Sequence, residues 1–139
     1  MVIAGYEEAN NLIRAAFDSG WLDSNVPVLY DNFQQDPDAD APEPPFLRVQ
    51  IQQALSRQVS MANDKRVRKD GQIVVEILVP AGEGEGRALE LADDVETILE
   101  TKNFGGVQMG TSRKVNVGSV KSAWKLNVVT DFYFDVFRT

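Results

Sequence analysis

The sequence predicts an α/β domain of the α+β kind, a mostly antiparallel sheet of four to five strands with two principal helices packed on it. Three observations carry that prediction. Residues 7–19 and 87–101 place apolar side chains at helical spacing. Residues 46–52, 73–79 and 123–138 are β-branched or alternate with a period of two. An Asp70-Gly71 pair between the first two of these strands reads as the turn of a hairpin. At 139 residues the chain has the size of one domain, read as residues 1–139, and such a chain buries about 68–70% of its unfolded surface without staples.

In the first helix Leu12, Ile13, Ala16 and Phe17 form the apolar stripe, and Gly20 stops it. Trp21 and Leu22 are expected to tuck under it. Val26 to Tyr30 is short and β-prone, and Asp31 to Pro45 mixes Asp, Pro and Ala with no apolar period, as a surface loop does. Leu47, Val49 and Ile51 then share one strand face and Arg48, Gln50 and Gln52 the other. Ser56 to Asp70 is polar and basic, the expected long mobile arm of the hairpin. In the next strand Val74 and Leu78 make the second face partly apolar, which predicts a central position or contacts on both sides. The second helix buries Ala88, Leu91, Ala92, Val95, Ile98 and Leu99; Asn103-Phe-Gly-Gly106 ends it. Val107 to Val117 holds a strand interrupted at Gly110. Ala123 to Arg138 is the last and longest, with Trp124, Leu126, Val128, Phe132, Phe134 and Val136 on its core face.

Composition excludes more than it selects. Without cysteine there is no disulfide, iron–sulfur cluster or thiolate nucleophile, and without histidine the commonest metal ligand and neutral-pH acid/base group are missing. No apolar run approaches the roughly 20 residues of a membrane span, and the first residues lack the pattern of a signal peptide, so a soluble product assembled in the host cytoplasm is expected. A net charge of −7 disfavours general attraction to nucleic acid.

Three motifs suggest chemistry and fail on their details. Gly82, Gly84 and Gly86 between a strand and a helix have the layout of a phosphate cradle, but Glu83 and Glu85 would repel phosphate and no Lys-Ser/Thr follows. The acids instead favour the positive end of the helix dipole. Asp36-Pro-Asp-Ala-Asp40 repeats three ligand positions of a calcium loop, yet Ala41 stands where glycine is needed and Leu47 where the bidentate glutamate belongs. Asp131 and Asp135 share a strand face about 13 Å apart along the backbone, too far to act as one acid/base pair. No catalytic residue, cofactor site or metal site is predicted.

Interaction surfaces remain. Arg57, Lys65, Arg66, Arg68 and Lys69 concentrate positive charge in the arm of an otherwise acidic chain, with no aromatic for base stacking, and would dock on an acidic surface of another copy. Asp131, Tyr133, Asp135 and Phe137 form a mixed strip on the last strand, the composition of a face that meets a partner as well as water.

The chain thus reads as a helix, an acidic Pro-rich loop, the strands Pro45-Phe-Leu-Arg-Val49 and Gly71-Gln-Ile-Val-Val75, the Val79-Pro-Ala-Gly82 turn with Gly84 and Gly86, an Ala- and Leu-rich helix and a Trp-containing final strand. In that order it resembles the tail-terminator and minor tail protein family of long-tailed bacteriophages, over nearly its whole length. The resemblance implies a compact α/β fold and a structural virion protein without an active site. It implies a hexameric ring at the head-proximal end of the tail that caps the tube of major tail protein, ends its polymerisation and joins it to the head connector. DNA would pass only transiently through the lumen. A head–tail connector or tail-tube subunit belongs to the same class, but a tube subunit polymerises without end where a terminator stops at a closed ring. A small nucleotide-binding enzyme using residues 82–86, or a dimeric adaptor, are readings of other classes, separated by nucleotide binding and by a stable dimer.

Overall fold

A computed structural model describes residues 3–23, 25–30, 44–60, 65–82, 84–120 and 123–138. The elements are α1 (Tyr6–Gly20), β1 (Val28–Tyr30), β2 (Phe46–Gln58), β3 (Lys65–Pro80), α2 (Gly84–Leu99), β4 (Asn103–Phe104), β5 (Val107–Val120) and β6 (Ala123–Arg138). The strands make one sheet in the order β1-β2-β3-β6-β5-β4. All neighbours are antiparallel except β1, which runs parallel to β2 through Val28↔Leu47 to Tyr30↔Val49. The α+β class and the two helices agree with the sequence; the expected four to five strands become six in a mixed sheet, because the β-prone stretch ending at Tyr30 does form β1 and the two-residue β4 is too short to show a period.

Both helices lie on one face of the sheet, and the core is between them. Ala9, Ile13 and Phe17 of α1 are fully buried, as are Ala88, Ala92, Val95 and Leu99 of α2, with Leu91 close behind. Helix α1 starts with Glu7 and Glu8 near its positive end, and Glu8 Oε2 accepts from the amide of Ala4 at 2.9 Å. Gly20 ends α1 against α2: a β-carbon there would lie 2.9 Å from Ile98 Cγ2, so close crossing requires glycine. Trp21 stacks on Phe17 and donates through Nε1 to Val26 O at 3.0 Å, as expected of a residue under the helix. Leu22 does not follow it and is 88% exposed, since the extended backbone after α1 sends successive side chains to opposite sides.

The largest departure concerns residues 56–70. In place of a long arm turned at Asp70-Gly71, β2 continues to Gln58 and β3 begins at Lys65. Strand β6 explains this, for it pairs with β3 along all of Lys65↔Arg138 to Pro80↔Ala123 and holds a polar strand in the sheet. Gly71 is not a turn residue but a contact: its missing side chain admits Phe132, whose Cζ would lie 2.5 Å from a β-carbon, with Gln52 O at 2.8 Å. The helix expected from Arg87 starts one turn earlier, at Gly84. Asn103 and Phe104, expected to end the helix, pair with Gln108 and Val107 instead. The break expected at Gly110 is a register shift between Met109 and Ser112.

As its two-sided composition predicts, β3 is central. Ile73, Val75, Ile77 and Val79 are fully buried toward the helices, while Val74 and Glu76 are only 8% exposed on the far face. On β6, Leu126, Val128, Phe132, Phe134 and Val136 are core and Trp124 is half-buried.

Candidate interaction surface

The β3–β6 register brings together the two groups that sequence placed apart. Arg66 lies opposite Phe137, Arg68 opposite Asp135, Asp70 opposite Tyr133 and Gln72 opposite Asp131. Side chains opposite one another share a face, so Arg66 and Arg68 meet Asp131, Tyr133, Asp135 and Phe137 on the face away from the helices. Arg57, opposite Arg68, joins them. Lys65 and Lys69 have the other parity and sit on the helix side. The basic arm is therefore divided between two faces.

On the far face the charges are engaged within the chain. Arg68 grips Asp135 with two hydrogen bonds, Nε to Oδ1 at 2.9 Å and Nη2 to Oδ2 at 3.2 Å, and its guanidinium lies 4.1 Å from the centre of the Tyr133 ring. Arg66 Nε is 3.6 Å from the same carboxylate. The Arg68 hydrogen bonds hold the Asp135 carboxyl below the usual carboxylate range, against the opposing effect of burial. Arg57 approaches Asp70 at 3.8 Å and Arg113 approaches Asp131 at 3.7 Å. Asp131 and Asp135 thus have separate arginine partners. Lys65 and Lys69 form no ion pair among the described residues, and Phe137 is 53% exposed. These are the groups with capacity left for a partner.

A second cluster escaped the sequence reading. Glu76, alone in the β-branched run of β3, receives Lys125 Nζ at 2.9 Å and Arg48 Nη1 at 3.7 Å, one residue from each of three adjacent strands. The signal was present as a carboxylate at an otherwise apolar position; its partners depend on register. Lys114 likewise spans from β5 to Glu96 and Asp93 of α2 at 2.9 and 3.1 Å, and these hydrogen bonds raise its pKa.

Ala81-Gly82 forms a turn and Gly84 opens α2, whereas Glu83 lies outside the described residues, as does the Asp36–Asp40 motif. Among the described residues no group of three His, Cys, Asp or Glu side chains could hold a metal, and no helix is long and apolar enough to cross a membrane. The cleft between the end of α1 and α2, about 450 Å³, is lined by Trp21, Leu22, Asp94, Thr97 and Ile98, with no nucleophile paired to a base.

The chain is thus an α+β domain in which most ion pairs among the described residues join neighbouring strands. A family described as phage tail terminator protein matches residues 10–103, more than half of the sequence, and the chain belongs to that family of structural phage tail proteins. No curated protein matches the sequence. Seventeen chains of solved structures match its structure. One of them superposes with a TM-score of 0.62 over 94% of this chain and 97% of its own at 20% identity, a likeness that shows the fold alone.

Proposed function

We propose that the chain is the terminator of a phage tail. It assembles as a homo-hexameric ring at the head-proximal end of the tube, ends polymerisation of the major tail protein, and presents its other surface to the head connector. It works as a structural part and not as an enzyme. The family match over residues 10–103 carries this reading. Two observations support it: the sheet face bearing Arg57, Arg66, Arg68, Asp131, Tyr133, Asp135 and Phe137 is an ordered, mixed surface suited to protein contact, and Lys65 and Lys69 leave positive charge for an acidic neighbour such as the outer side of α2, where Glu85, Glu90, Asp93 and Asp94 lie. Removing the gene from the phage that encodes it is expected to give overlong tubes without heads in electron micrographs. Tails of normal length joined to heads would overturn the proposal.

A further inference from the structure

We infer that copies of this chain join through their sheet edges, the free edge of β5 in one copy pairing antiparallel with the free edge of β2 in the next. Strand β1 covers β2 only at Leu47–Val49, and among the described residues nothing pairs with residues 51–58 on that side. Side chains 52–58 are all exposed. At the other end of the sheet β4 covers Val107 and Gln108, Lys102 O and the amide of Thr101 bond to Met109 and Gly110, and Glu100 Oε2 accepts from the amide of Ser112 at 2.6 Å. From Arg113 to Val120 nothing among the described residues pairs with that side of β5. The two open stretches are of equal length.

Open edges are normally short or blunted by charge and proline. These are long and contain no proline, their charged residues Arg57, Arg113 and Lys114 are paired with acids of the same chain, and they carry three of the five large exposed apolar side chains among the described residues: Leu55 (82%) on β2, Val115 (41%) and Val117 (47%) on β5. The register shifts near Gln53 and Asn116 restrict such an edge to a partner of matching shape.

Direction selects the pairing. Strands β2, β3, β6 and β5 alternate antiparallel, so β5 runs opposite to β2. A second copy placed in the same orientation therefore offers β2 antiparallel to β5, the better ladder. A two-fold pair of β2 with β2, or β5 with β5, leaves the remaining edge open; the head-to-tail pair consumes both and can close. The open stretches also lie toward opposite ends of the sheet, since Ile51 is level with Ser112 through Ile73 and Thr130 whereas Val120 is level with Pro80. Each copy must then be staggered along the strands relative to the last, and a constant stagger is the shear by which tilted strands close into a barrel.

This inference rests on the ring reading, and one experiment separates them. The chain has no cysteine, so introduced thiols are unambiguous. Leu55→Cys and Val115→Cys, made singly and together at exposed positions, are treated with a short bis-maleimide, and the same samples are weighed by native mass spectrometry. The double variant is expected to give a ladder of covalent multimers with loss of the monomer band, and each single variant none. Multimers in native spectra without a ladder would overturn edge pairing and leave the ring. Cross-linked dimers from a single variant would show like edges pairing and overturn it too. A chain that stays monomeric at every concentration would remove both.

Discussion

Asp135 accepts from Arg68 and lies beside Arg66, so one carboxylate gathers two of the charges of the basic segment. Its folded pKa is lowered, and its contribution is therefore full above the unfolded value of about 3.9 and disappears as pH falls through the lower folded value. Asp135→Asn is expected to cost about 1–2 kcal/mol at neutral pH, the range of hydrogen bonds to charged groups reduced for partial exposure, and progressively less below about pH 4. Urea unfolding of both proteins at the two pH values checks this. Gly71 makes a sharper case. A methyl group there meets both a ring and a backbone carbonyl, so Gly71→Ala is expected to destabilise by about 1–3 kcal/mol although alanine suits strands no worse than glycine. A shift of the urea midpoint at unchanged slope is the readout.

At the scale of elements, α2 is held to the sheet by burial and tied to its edge by charge, and the two differ in weight. Leu91→Ala empties a fully enclosed site and is expected to cost about 2–5 kcal/mol. Lys114→Met breaks the ion pairs to Asp93 and Glu96, but in contact with water, and is expected to cost at most about 1 kcal/mol. Thermal unfolding of the two variants side by side tests that ordering. The helices were legible in the sequence because a stripe such as Ala88, Leu91, Ala92, Val95 and Leu99 depends on one element's own period. Residues 65–70 were not, because Lys-Arg-Val-Arg-Lys-Asp has the composition of a loop and becomes a strand only when β6 pairs with it. The candidate surface was legible as residue types and illegible as an arrangement: parity within 57–69 separates Lys65 and Lys69 from the arginines, and register alone places Arg68 on Asp135. Glu76 was visible as an anomaly, while Arg48 and Lys125, its partners on other strands, were not.

For the whole molecule the balance of charge concerns assembly. Glu85, Glu90, Asp93 and Asp94 of α2 are exposed, and Lys65 and Lys69, without an ion pair among the described residues, lie on the extended end of the sheet. If they dock on a neighbour, association weakens as salt rises, because exposed charges are screened within about 10 Å at 0.1 M. Lys65→Glu combined with Lys69→Glu is expected to weaken self-association in low salt and to flatten its salt dependence. Sedimentation velocity across a salt series measures both. Unchanged association would place the contact elsewhere.

Strand β6 is bonded along both sides, to β3 over its full length and to β5. Its partner β3 is far away in the chain, and such distant pairings are slow to form. During translation α1, the β2–β3 hairpin and α2 emerge first, yet Ile73, Val75 and Ile77 lie in a strand with one edge unsatisfied until residues 123–138 have left the ribosome. From the time residues 65–80 are made until residues 123–138 can pair with them, the most apolar strand of the sheet has an open edge, and that interval is when it is exposed to pairing with other chains.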